Sequence, residues 1–170
     1  MARLRLTEDQ FNELLRLSTY YHGLAKKCMK AKAYLPACIM AGSALEAAVP
    51  AMCECCYDEI LQTSLPIDRK HKTKPLLHWT LHECLKVARG CGWLPSGLAR
   101  GESWRNEKAK TGDYAIVVKE LRNLVHPSCY LDDLPRGRLT KGRAKLVFRV
   151  MSDVANLFHD RLVMRADLRR

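Results

Sequence analysis

Apolar residues along this chain recur every three or four positions and nowhere alternate convincingly, so the pattern predicts helices packed on helices. Thr7 is placed to cap a first helix, with Gln10 three residues on completing a capping box. Phe11, Leu14, Leu15, Ser18, Tyr21, Ala25, Cys28 and Met29 then mark one face. A second segment runs from about Pro36 to Gln62. Its Pro36 stands where a first turn tolerates proline, and Pro50 is expected to kink the helix or end its first half. Between them Ala41-Gly42-Ser43-Ala44 offers a small-residue face on which a neighbouring helix can lie close.

Residues 64–74 are polar and basic and read as a loop. A third helix is expected from about Pro75 to Arg89, stopped by Gly90 and Gly92. After Trp93-Leu94-Pro95 and a weakly patterned connection, a fourth starts near Thr111 or Asp113 and runs to His126, where Pro127 closes it. The last extends from about Thr140 to Met164, with Val147, Val150, Met151, Val154, Leu157 and Phe158 as its apolar stripe. The fold class is therefore all-α, about five helices in one domain over residues 1–170.

Composition supports this reading. Hydrophobic content of 48% is that of an ordinary globular protein, and aromatics contribute only 7%. The apolar supply leans on Leu, Ala, Val and Met, which favour helices over sheets. The apolar stretch Ala33 to Cys53 is interrupted by Pro36, Glu46 and Pro50 and reads as a buried helix, so no membrane partner is expected. Most of the eight cysteines fall inside helix-like segments, and the first residues lack an export signal. Reduced thiols in a cytoplasm are the expectation.

Charge adds a direction. The net charge is +11. Residues 1–85 hold 11 Lys/Arg and 9 Asp/Glu, a net of +2, whereas residues 86–170 hold 18 and 9, a net of +9. Such a field attracts polyanions, nucleic acid first among them. Its densest part is Arg136, Arg138, Lys141, Arg143, Lys145 and Arg149, with no acid among them. Lys141, Lys145 and Arg149 lie four apart and form a stripe suited to backbone phosphates, or a merely solubilising face.

The fourth helix carries the clearest chemistry. At about 100° per residue, Tyr114, Val117, Val118, Leu121, Leu124 and Val125 gather on one side, and Lys119, Arg122, Asn123 and His126 on the other. Arg122 and His126 are one turn apart with no carboxylate between them. That is a poor ion pair and a sensible phosphate site, since guanidinium forks onto phosphate oxygens and imidazole moves protons near neutral pH. The competing reading is a solvated helix face with His126 near the C-terminal cap. Glu46 is a lone acid in an apolar segment, either paired, with Arg122 a candidate, or facing solvent. Cys53 and Cys56 could be joined with His78 and His82 in a zinc site, but the spacing is long for a finger and the cysteines lie in a helical pattern. No metal and no cofactor are expected.

The segment Glu120-Leu121-Arg122-Asn123-Leu124-Val125-His126-Pro127 resembles the Arg-Asn…His signature of the HEPN superfamily. The segment Tyr34 to Glu46 and the run from Leu85-Lys86-Val87-Ala88 to Gly92-Trp93-Leu94-Pro95 agree in style. The resemblance implies an up-and-down helical bundle that works as a homodimer, with both motifs facing a shared cleft that cleaves RNA without metal. It implies that His126 is the general acid/base, that Arg122 stabilises the charged phosphorane and that Asn123 orients the ribose or the arginine. Lys119, Arg138, Lys141, Arg143, Lys145 and Arg149 would then hold RNA. It further implies a toxin–antitoxin or phage-defence setting, with an antitoxin or a nucleotidyltransferase as partner protein. Only three residues separate Arg122 from His126, fewer than in the nuclease pattern. The alternative is a non-catalytic HEPN-like module binding RNA, a nucleotide or a partner protein.

Overall fold

The computed structural model describes residues 4–94, 97 and 141–167. Among these the chain is all-α. Helices α1 (Glu8–Lys30), α2 (Tyr34–Cys55), α3 (Tyr57–Ile60), α4 (Leu81–Gly90) and α5 (Lys141–Asp167) are joined by a short 3-10 turn at Leu76–His78 and by loops. The expected fourth helix, Thr111 or Asp113 to His126, lies outside the described residues.

Helix α2 is the centre. It packs against α1, α4 and α5. Ala37, Cys38, Ala41, Ala44, Leu45, Ala51 and Cys53 are fully buried along it. Its small residues keep the helix slim, so that partners can approach its backbone. By length and composition α2 could cross a membrane, yet here most of its apolar surface lies against protein. Of the two outcomes open at Pro50, a stop is excluded: the helix continues to Cys55. Pro50 costs a backbone hydrogen bond, but continuing places Ala51, Met52 and Cys53 in the core. The segment expected to reach Gln62 instead breaks at Cys56 and resumes as the short α3.

Helix α1 begins as its sequence predicts. The Thr7 hydroxyl accepts from the Gln10 amide N–H at 3.1 Å, and the Gln10 side chain accepts from the Thr7 N–H at 3.0 Å. Phe11, Leu14, Tyr21 and Met29 pack against the core, and Ala25 is buried completely. Leu15, expected on the same face, is turned to solvent, because at 100° per residue it sits on the flank of that stripe.

The end of α1 is a Schellman motif. The Lys32 N–H donates to the Met29 carbonyl at 3.1 Å and the Ala33 N–H to the Cys28 carbonyl at 2.9 Å. Lys32 takes the left-handed conformation, with φ of 59°. The turn is so short that α2 must return along α1. Helix α4 ends the same way: the Gly92 N–H donates to the Arg89 carbonyl at 2.9 Å, the Trp93 N–H to the Ala88 carbonyl at 3.0 Å, and Gly92 has φ of 73°. Gly92 therefore stops this helix, while Gly90 is its last residue.

The start of α4 corrects the sequence reading. Pro75 opens only the 3-10 turn, Trp79 is extended, and the helix begins at Leu81. Thr80 and Glu83 form a second capping box, which satisfies the first-turn amides and so fixes the start. The Glu83 carboxylate also accepts from the Lys74 ammonium at 2.6 Å, tying the loop to the helix. Burial pushes the Glu83 pKa up, but the bonds from Lys74 and Thr80 outweigh it and hold the group below the usual carboxylate range.

Two further clasps close the ends. The Trp93 indole N–H donates to Glu59 at 2.8 Å, joining the end of α4 to α3. Arg5 and the Leu6 N–H both donate to Glu54 at 2.8 Å, and the Arg5 guanidinium lies 4.7 Å from the Tyr57 ring centroid. The Leu76 N–H then donates to the Leu4 carbonyl at 2.9 Å, so the N-terminal segment straps the end of α2 to the 3-10 turn.

The two Schellman turns give a paired test. Both residues adopt the left-handed conformation, which disfavours a side chain; Lys32 carries one there and Gly92 does not. Lys32→Gly is expected to raise stability by roughly 0.5–1 kcal/mol and Gly92→Ala to lower it by about 1 kcal/mol or more in urea unfolding. Equal effects of the same sign would contradict the assignment.

Candidate functional site

Helix α5 presents two faces. Ala144, Val147, Val150, Met151 and Val154 are buried, and Leu157 packs against the core. This stripe is the expected one, with Ala144 added; the Phe158 side chain lies outside the described residues. Fixing that face on the core fixes the opposite one toward water. Lys141, Lys145 and Arg149 are all exposed there, each rising about 6 Å above the last along the axis. Three cations therefore line one edge over about 12 Å. The Arg143 side chain lies outside the described residues.

The stripe sits at the electropositive end of its helix. No acid occupies the first turn of α5, and Lys141 is its first residue. A cation there is disfavoured by the helix dipole, by a few tenths of a kcal/mol. An anion bound alongside would relieve both the dipole and the lysine. The polar face continues through Ser152 and Asn156 to Asp160, all exposed. The Ser152 hydroxyl donates to the Phe148 carbonyl at 3.1 Å. Positive charge is thus concentrated in the N-terminal turns.

The other candidates divide. Arg122, Asn123, His126, Lys119 and Arg138 lie outside the described residues. Glu46 is half-buried on α2, and its negative charge helps to raise the Cys84 thiol on α4, which places it toward that helix. The two-Cys, two-His arrangement comes apart: Cys53 and Cys56 are buried while His78 and His82 are exposed. Among the described residues no group of three or more His, Cys, Asp or Glu is placed to hold a metal ion.

The cysteines behave as small core residues. No disulfide joins those described. Burial pushes the Cys38 thiol up to about 12. Burial, with Glu83 and Glu46 adding to it, pushes Cys84 to about 12 as well. Cys53 is raised too, by burial first and then by Cys84, Cys91 and Cys56. A thiol held protonated is a poor nucleophile. His22 on α1 is half-buried, with its ring centroid 6.3 Å from that of Phe148 on α5. Burial, then Lys26, lowers its pKa, so it is neutral near pH 7.

A second group of exposed cations was not among the candidate site residues. Residues 64–74, expected as a polar and basic loop, contain a tight hairpin whose tip carries Arg69, Lys70 and Lys72, all exposed. The available signal was an unbroken run from Arg69 to Lys72 beside a single acid, Asp68.

Comparison of the chain with protein-family models, with characterised proteins and with solved structures gives no match.

The burial of the thiols makes a direct forecast. In native protein at about pH 8, Cys38, Cys53 and Cys84 should resist maleimide labelling and react only after unfolding in guanidinium, as read by peptide mass. Rapid native labelling at any of the three would contradict their placement.

Proposed function

We propose that the chain is a HEPN-like, metal-independent ribonuclease of toxin or phage-defence type, acting as a homodimer. The observation that carries this reading is the sequence Arg122-Asn123-Leu124-Val125-His126-Pro127: an arginine and a histidine four positions apart with no acid between them, a spacing that a helix would bring to one face. Two features support it. The chain is all-α, and Lys141, Lys145 and Arg149 form an exposed track without a carboxylate in the first turn of their helix.

In the proposed reaction the RNA's own 2′-oxygen attacks the adjacent phosphorus and the 5′-oxygen leaves, giving a cyclic phosphate. His126 moves the proton between these oxygens, Arg122 balances the charge of the phosphorane, and Asn123 orients the ribose or Arg122. Pure protein should therefore cleave RNA in EDTA. His126→Ala should reduce the rate by roughly two to four orders of magnitude. Equal activity in both, or none in wild type across varied RNA and salt, would reject the nuclease.

The short interval from Arg122 to His126 favours a second reading, a non-catalytic module that binds RNA. Salt-sensitive RNA binding without cleavage would select it. Both readings assign the α5 track to phosphates. Replacing Lys141, Lys145 and Arg149 together with Gln should lower the slope of log affinity against log salt by about 2 for a single strand. An unchanged slope would remove the track from either reading.

A further inference from the structure

The loop between α3 and the 3-10 turn is more ordered than its composition suggests. The Lys74 N–H donates to the Pro66 carbonyl at 2.9 Å, Ile67 and Thr73 form an antiparallel bridge, and the Asp68 N–H donates to the Lys72 carbonyl at 2.8 Å. These rungs make a small hairpin with Arg69-Lys70-His71 at its tip, where His71 has φ of 56°. Asp68 is its single acid. That carboxylate already accepts from the Lys70 and Lys72 backbone N–H groups, at 2.7 and 2.9 Å. Arg69, Lys70 and Lys72 project around it, exposed.

Apolar surface accompanies these cations. Ile67 in the hairpin is 54% exposed, and Leu61 and Leu77, on the chain entering and leaving it, are 49% and 48% exposed. Cations beside an exposed aliphatic side chain, Ile67, on a structured protrusion suit a surface that is anionic outside and apolar beneath. We propose that this hairpin docks on an anionic lipid bilayer, with Ile67 entering the boundary between headgroups and acyl chains and Arg69, Lys70 and Lys72 at the level of the phosphates. A nucleic acid meets the charge but leaves Ile67 unmatched, because bases stack on planar side chains and not on aliphatic ones. Residues 61–78 carry no Phe, Tyr or Trp, and the planar groups at the tip are Arg69 and His71. The contact is peripheral and reversible, since a few cations and one apolar tip do not anchor a protein permanently. It needs no spanning helix.

The test is co-sedimentation of the full chain with vesicles of phosphatidylcholine alone or with about one third phosphatidylserine. Wild type should pellet with the anionic vesicles only. Replacing Arg69, Lys70 and Lys72 with Gln should weaken that binding about a hundredfold, taking each cation near the surface at its usual worth. Ile67→Ser should weaken it about tenfold while leaving binding to a single-stranded RNA unchanged. These positions are exposed, and unchanged thermal melting of each variant confirms that the fold is kept. Three results would overturn the proposal: no binding to anionic vesicles, full binding by the triple variant, or vesicle binding indifferent to Ile67→Ser. Loss of RNA binding in the triple variant together with the last of these would make the hairpin a nucleic-acid contact instead.

Discussion

Everything described in this protein depends on how completely α2 is covered. A helix with so little polar surface is unstable in water by itself, and most helical stability comes from tertiary packing. Three helices supply that packing. Ala37, Ala41 and Ala44 contribute little area each, but they let neighbouring helices come close enough for Leu45, Val49 and Met52 to be enclosed. Removing that cover would expose an apolar segment long enough to cross a membrane. The same requirement orients the remaining helices. Helix α5 turns Ala144, Val147, Val150, Met151 and Val154 inward, and its basic stripe faces out as the consequence.

Around this centre the polar groups act mainly as fasteners at helix ends. Two capping boxes set where α1 and α4 begin, and two Schellman turns set where they stop. Glu54, Glu59 and Glu83 each receive a donor from a separate segment: Arg5, Trp93 and Lys74. Three of the eighteen acids are thereby engaged in holding the scaffold together. In a chain of net charge +11, α5 and the hairpin tip present exposed cations to solvent.

Local signals with a definite mechanism were legible in the sequence. Thr7 with Gln10 announced α1 correctly, Gly92 announced the end of α4, and the spacing of Val147, Val150, Met151 and Val154 gave the buried face of α5. Where the reading failed, a weaker cue had displaced a stronger one. Pro75 favours a helix start, yet Thr80 and Glu83, the better cap, stand further on and set it. At Pro50 a kink or a stop was expected; the stop is excluded, because the burial gained beyond it outweighs the lost hydrogen bond. Helical spacing put Leu15 on the α1 stripe, but it falls on the flank of that stripe and is exposed. Hairpin 66–74 was hidden because backbone rungs and Asp68, not hydrophobic alternation, hold it. Of the candidate site, the outward-facing stripe on α5 was legible because a buried apolar face dictates its opposite. Arg122, Asn123 and His126 lie outside the described residues, and their reading rests on spacing and chemistry alone.

By cover, α2 is innermost, α4 and the middle of α5 come next, and α1 is an outer layer contributing one fully buried residue, Ala25. Amide hydrogen exchange in native conditions measures that order directly, because core segments exchange only through global opening. The amides of α2 from Ala41 to Cys53 should be the slowest in the protein, with free energies of opening that match global unfolding, while much of α1 exchanges through smaller openings. An α2 that exchanges as fast as the ends of α1 would contradict the central place given to it.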